Sequence, residues 1–130
     1  VVKEFTFDAA HWLPGYHGPC GNLHGHTYRL MVGTTGTPDP ETGMVVDFSK
    51  LKKVVWQEIE VMDHSCLNDL SISDFPKDMP TAENMVMWIR DRLFQNCWYK
   101  PRLTTQLELP YRLTFIRLYE TPTSYAEWRA

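Results

Sequence analysis

The chain opens with an alternation. Residues 2–11 put Phe5, Phe7, Ala9 and His11 on one parity, the period of two that a half-buried strand requires. Residues 24–33 alternate again, with His24, His26, Tyr28, Leu30 and Val32 on one face and Thr27, Arg29 and Met31 on the other. Between these strands, Pro14-Gly15-Tyr16-His17-Gly18-Pro19 reads as a loop from its Gly and Pro content. A turn-rich connection from Gly33 to Gly43 leads to a short extended piece, Met44-Val45-Val46. The period then changes. Phe48, Leu51, Val54, Val55, Ile59 and Met62 form one apolar stripe of a helix that Asp47 or Ser49 can cap and that ends near Asp63-His64. A second helix opens at Pro80-Thr81, with Thr81 as N-cap, Glu83 at the positive end of the dipole, and Val86, Ile89, Leu93 and Cys97 on its packed face. Residues 98–112, where Pro101 and Pro110 bracket Leu103–Leu109, predict an extra strand or an extended loop. A strand at 113–120 and a short one at about 124–129 close the chain.

The order ββααββ predicts an α+β domain, a four-stranded antiparallel sheet with two helices on one face. Such a sheet keeps two open edges and one uncovered face, so a homo-oligomer is expected.

Composition narrows the picture. With 130 residues, 43% hydrophobic and 13% aromatic, the chain can bury one core, and residues 1–130 read as a single domain. A net charge of −3 with scattered Lys and Arg gives no field for nucleic acid or an anionic membrane, so an anionic substrate must be held by local residues. Three cysteines at irregular spacing argue against a disulfide framework and for a reducing compartment, which makes the cytoplasm the expected location. No apolar run approaches the roughly 18 residues of a membrane span, and Val1-Val2-Lys3-Glu4 reads as strand rather than as a signal peptide.

The chemistry concentrates in Cys20-Gly21-Asn22-Leu23-His24-Gly25-His26. Side chains two apart on a strand share a face and lie roughly 7 Å apart at about 3.3 Å rise per residue. His24 and His26 can therefore grip one ion, and His11, on the buried parity of the neighbouring strand, can join them. Three imidazoles without a carboxylate favour zinc, with a fourth position open for water or substrate. Two alternatives stand beside this reading: a histidine pair on a partly buried surface, or Cys20 as a fourth ligand closing a structural site. Cys66 and Cys97 read as packing residues, and His17 as an exposed loop histidine. From the residues alone, Asp63-His64 is a capping or surface pair and Glu120 a solvated residue ending a strand.

Six segments in order change that weighting. Phe5-Thr6-Phe7-Asp8-Ala9-Ala10-His11, Cys20 to His26, Asp47-Phe48-Ser49-Lys50-Leu51-Lys52, Met62-Asp63-His64-Ser65-Cys66-Leu67-Asn68-Asp69, Pro80-Thr81-Ala82-Glu83-Asn84 and Glu120-Thr121-Pro122 resemble the 6-pyruvoyl-tetrahydropterin synthase superfamily, most closely its bacterial 6-carboxy-tetrahydropterin synthase branch. The resemblance spans nearly the whole chain. It implies the tunnelling fold, in which trimers close their sheets into a barrel and two trimers stack as a hexamer with active sites between subunits. It implies a zinc-dependent lyase that converts 7,8-dihydroneopterin triphosphate to 6-carboxy-5,6,7,8-tetrahydropterin with release of acetaldehyde and triphosphate, an early step toward queuosine. The alternatives are the pyruvoyl-forming reaction, which keeps the carbon chain, and a non-catalytic oligomeric module stapled by zinc. The resemblance also assigns roles: His11, His24 and His26 as metal ligands, Cys20, Asp63 and His64 as catalytic groups, and Glu120, Thr81 and Glu83 as holders of the pterin. Trp12 departs from the family, standing where many relatives carry a basic residue. No Gly-rich phosphate loop appears, and Arg29, Lys50 and Lys52 are the candidates for triphosphate contact.

Overall fold

A computed structural model describes residues 1–95 and 111–130. Among these residues are five strands and two α-helices: β1 (Val2–His11), β2 (His24–Gly36), α1 (Phe48–Ile59), β3 (Ser65–Cys66), α2 (Ala82–Leu93), β4 (Tyr111–Thr121) and β5 (Ser124–Arg129). The sheet runs β3-β1-β2-β4-β5. Every pairing is antiparallel except the two-residue β3, which lies parallel to β1 through Ala9↔Ser65 and Ala10↔Cys66. This fifth strand corrects the four-stranded expectation. It is too short to carry a periodic signal and is held by the segment before it, where the His64 N–H donates to the Asp8 carbonyl at 2.6 Å.

The alternation is realised as read. Phe5, Phe7, Ala9 and His11 of β1 point inward with Tyr28, Leu30 and Val32 of β2 and Leu113, Ile116 and Leu118 of β4. Tyr28, with no exposed surface, stacks on Phe7 at a centroid distance of 5.1 Å. Both helices cover this face. From α1, Leu51, Val55 and Ile59 enter the core, joined by Met62 from the 3-10 turn Glu60–Met62 that extends the helix. From α2, Met85, Val86, Trp88, Ile89 and Leu93 do so. The caps follow elementary chemistry. Asp47 accepts the Ser49 N–H at 2.7 Å, and the Thr81 hydroxyl accepts the Asn84 N–H at 3.3 Å, each supplying an acceptor to an orphan amide of the first turn.

Two expectations are adjusted. Phe48, the first residue of α1, is half exposed rather than packed, since burial along this helix begins one turn later at Leu51. Met44-Val45-Val46 forms no strand; only Val46 of the three is buried. Cys97 and the possible strand or loop from 98 lie outside the described residues up to 110, while 111 and 112 belong to β4.

Away from the helices the sheet shows a polar, aromatic face. The Arg29 guanidinium lies 4.0 Å from the Tyr119 ring centroid and that of Arg117 4.4 Å from Tyr125, while Arg117 pairs with Glu127 at 2.5 Å. Among the described residues no helix is long and apolar enough to cross a membrane.

Candidate metal centre and its surroundings

Strand register assembles the three imidazoles. His11 lies directly across from His24, and Ala9 across from His26, so the rings occupy an opposed and a diagonal position on one face, where side chains meet. The centroids of His11 and His24 are 4.6 Å apart, those of His11 and His26 5.2 Å and those of His24 and His26 4.8 Å. One ring nitrogen from each lies within 4.8 Å of the others.

The outer nitrogens are committed. His11 Nδ1 is 2.8 Å from the Pro80 carbonyl oxygen and His24 Nδ1 is 2.7 Å from that of Asn22. A carbonyl only accepts, so each Nδ1 carries the hydrogen and each Nε2 of a neutral ring presents a lone pair. These two lone pairs face one another at 3.1 Å, an arrangement that requires a proton or a cation between them. His26 Nε2 is buried with no hydrogen-bond partner, and burial, ahead of the opposing pull of Glu120, pushes that imidazole below its ordinary pKa and toward the neutral, ligating form. Two metal–nitrogen bonds of about 2.05 Å at a tetrahedral angle hold their donors roughly 3.3 Å apart, close to the His11–His24 separation. The donor set fits a zinc ion, with two carbonyls fixing the tautomers as outer-shell partners of metal-bound histidines do. Those carbonyls carry no motif and cannot be read from sequence; they arise from the bend at Asn22 and from the chain entering α2.

Glu120, on the inward parity of β4, extends Oε1 to 3.3 Å from His11 Nε2 and 3.8 Å from His26 Nε2. The residue assigned to the pterin is thus gathered at the trio. Tyr28 closes the floor, its hydroxyl 3.4 Å from His11 Nδ1; burial raises its pKa far above the ordinary phenol value and keeps it protonated. Thr81 caps α2 one residue beyond the Pro80 carbonyl that holds His11, and Glu83 is exposed in the first turn of that helix.

Cys20 is a free, exposed thiol in the 3-10 turn Pro19–Gly21, outside the cluster of metal-ligating groups. Its carbonyl accepts the Leu13 N–H at 2.8 Å. Gly21 makes this loop possible, since a Cβ there would sit 2.3 Å from the Tyr16 carbonyl oxygen.

Asp63 and His64 come together, with 3.0 Å between Asp63 Oδ1 and His64 Nδ1. The Asp8 N–H donates to the same carboxylate at 2.9 Å, and this bond, foremost among several, lowers the Asp63 pKa. His64 adopts φ +55, alone among the described non-glycine residues in having a positive value, a conformation a β-carbon resists. This pair is attached to β1 beside Asp8, on the side where β3 follows it, and the Asp8 side chain lies on the parity opposite the imidazoles. The structure therefore does not gather the dyad and the trio of one chain into a single cluster. A cleft of about 530 Å³ opens beside the dyad, lined among others by Asp8, Gly25, His26, Thr27, His64 and Cys66, so one ligand of the trio and the dyad's imidazole border the same space. Burial raises the Cys66 thiol pKa, as suits a packing residue. Asn68 is a residue the motif contained without a role: it accepts the Trp12 N–H and donates to the Trp12 and Lys77 carbonyls, each at 3.0 Å.

This sheet, with a histidine trio at the end of its first two strands, defines a protein of the tunnelling fold. The solved 6-pyruvoyl tetrahydropterin synthase of Caenorhabditis elegans superimposes with a TM-score of 0.79 at 25% identity, covering 100% of this chain and 94% of its own. The family model for 6-pyruvoyl tetrahydropterin synthase matches residues 1–130, and the chain belongs to that family. It is 34% identical to the 6-carboxy-5,6,7,8-tetrahydropterin synthase of Haemophilus influenzae, over 99% of this chain and 97% of the relative. It is 35% identical to the protein of that name in Bacillus subtilis, over 98% and 82%. It is also 38% identical to the dihydroneopterin monophosphate aldolase of Pyrococcus furiosus, over 74% and 75%.

Proposed function

We propose that this protein is a zinc-dependent lyase that converts 7,8-dihydroneopterin triphosphate to 6-carboxy-5,6,7,8-tetrahydropterin, releasing acetaldehyde and triphosphate. The observation that carries the proposal is the pair of facing Nε2 lone pairs with the orphaned His26 Nε2 beside them. Similarity to two 6-carboxy-5,6,7,8-tetrahydropterin synthases over nearly the full chain supports the product.

His11, His24 and His26 would hold the metal. Zinc bound there supplies a Lewis acid toward the substrate's side-chain oxygens and makes the neighbouring C–H protons easier to remove. Cys20, on its exposed turn, acts as the base on one face of the substrate. His64 exchanges protons on the other face of the substrate, and Asp63 holds its Nδ1–H so that Nε2 points outward. Glu120 turns from the imidazoles to accept the two parallel N–H donors of the pterin's pyrimidine edge in bidentate fashion, while Thr81 and Glu83 at the start of α2 steady the ring.

A homo-oligomer, a hexamer built as a dimer of trimers, follows from the same reading. The trio lies on the inward face of β1 and the dyad at its edge toward the outward face, and in this reading a second copy completes the site that one trio begins. The uncovered Arg and Tyr face of the sheet and its short edges are the surfaces that association would hide.

Mass spectrometry after incubation with 7,8-dihydroneopterin triphosphate tests the reaction. Carboxypterin with acetaldehyde supports it, pyruvoylpterin replaces it with the chain-retaining reaction, and no turnover of a metal-loaded protein favours the zinc-stapled module. A second reading, an aldolase, is favoured by the likeness to the Pyrococcus protein; consumption of the monophosphate but not the triphosphate would establish it.

A further inference from the structure

We propose that Asp8 is a positioning residue of the Asp63–His64 dyad, a second carboxylate that Thr27 fixes beside the imidazole. The inference rests on the proton-transfer role given above to His64. Asp8 joins the site from both sides of its strand. Its main chain is clamped to the dyad, with the N–H donating to Asp63 Oδ1 at 2.9 Å and the carbonyl accepting the His64 N–H at 2.6 Å. Its side chain is clamped to β2, where Thr27 is its direct cross-strand partner and donates Oγ1–H to Asp8 Oδ1 at 2.5 Å.

The consequence is a ring set against two carboxylates. One oxygen of Asp8, one of Asp63 and a ring nitrogen of His64 all lie within 4.8 Å of one another, at the mouth of the cleft that Asp8, Thr27 and His64 share. Asp63 takes the Nδ1–H of the neutral ring. When His64 accepts a proton it becomes an imidazolium, a full positive charge with two N–H donors, and Asp8 supplies a second negative charge that stabilises this form. The hydroxyl of Thr27 fixes one oxygen of that carboxylate on the strand face it shares with Asp8. The strained backbone of His64 fits the arrangement, since strain persists where surrounding bonds over-determine a residue.

The test uses the zinc-loaded protein and 7,8-dihydroneopterin triphosphate. Asp8→Asn keeps the size and the Thr27 bond and removes the charge. It is expected to lower kcat about threefold to fivefold, the size of an exposed charge pair, with KM and zinc content unchanged. Thr27→Val lowers kcat in the same direction and Thr27→Ser restores it. In a His64→Ala background, Asp8→Asn has no further effect, because the two act as a unit. Full kcat in Asp8→Asn, or an undiminished effect without His64, overturns the proposal. An independent readout is the nitrogen-15 shifts of the His64 ring, which are expected to move in Asp8→Asn. If the wild-type protein does not turn over this substrate, the proposed reaction has failed while the ring shifts still decide the role of Asp8: unchanged shifts overturn it.

Discussion

Replacing Asn68 by Ala probes the strap that aligns the metal centre. Asn68 makes three hydrogen bonds of 3.0 Å, two to the backbone of Trp12 directly after His11 and one to the Lys77 carbonyl in the segment leading to Pro80. It thereby links the residue after one ligand to the chain whose carbonyl orients that ligand. Each such bond is worth about 0.5–1.5 kcal/mol net, and the half-exposed position of Asn68 favours the lower part of the range, so the three together come to about 2 kcal/mol. With a urea m-value of about 2 kcal/mol/M, the unfolding midpoint should fall by about 1 M. The experiment is equilibrium urea unfolding of both proteins at one protein concentration, because association would shift the midpoint by mass action. An unchanged m-value with the lower midpoint is the expected result. A loss below about 0.5 kcal/mol, the net value of a single bond, would show that water replaces these bonds at little cost and that the strap is dispensable.

Other outcomes follow from single contacts. At His64, with φ +55, Gly should be more stable than Ala by about 1 kcal/mol, since only a β-carbon resists that backbone; equal urea midpoints would show that no strain is held there. Ile59, with no exposed surface, should lose about 2–4 kcal/mol on replacement by Ala, read from thermal or urea unfolding. Gly21→Ala, whose Cβ would meet the Tyr16 carbonyl oxygen at 2.3 Å, should displace the Cys20 turn and change the rate of Cys20 alkylation. Asp63 has a folded pKa below its ordinary 3.8, so its contribution to stability is complete above the unfolded value and is lost as pH falls through the folded one. The stability lost between pH 6 and pH 3 should therefore be smaller in Asp63→Asn than in the wild type, and an equal loss would contradict the assignment.

Strand periodicity revealed the trio because inward parity, unlike side-chain chemistry, is written directly in the spacing of residues. Phe5, Phe7 and Ala9 set the face of His11, and Tyr28, Leu30 and Val32 that of His24 and His26, through their spacing alone. The cap roles of Asp47 and Thr81 were legible for the same reason, since the acceptor lies a few residues from the amide it serves. Long-range partners left no such trace. Pro80 is 69 residues from His11 and Asp8 is 55 from Asp63, and nothing local marks either pairing. β3 leaves no trace in the sequence because two residues hold no period. Phe48 carries the period of the stripe yet lies exposed, because periodicity gives a residue's face but not where along the helix the core begins. The separation of the dyad from the trio was hidden too, since His64 turns away through a backbone conformation that its residue type does not advertise.

The central claim, that three imidazoles hold one metal and leave a position open, is tested most directly by metal content. Inductively coupled plasma mass spectrometry on the purified wild type, each of His11→Ala, His24→Ala and His26→Ala, and Cys20→Ala should find one zinc per chain in the wild type and in Cys20→Ala. It should find a severe loss in all three histidine variants. Full zinc in any histidine variant, or loss of zinc on removing the Cys20 thiol, would contradict the account.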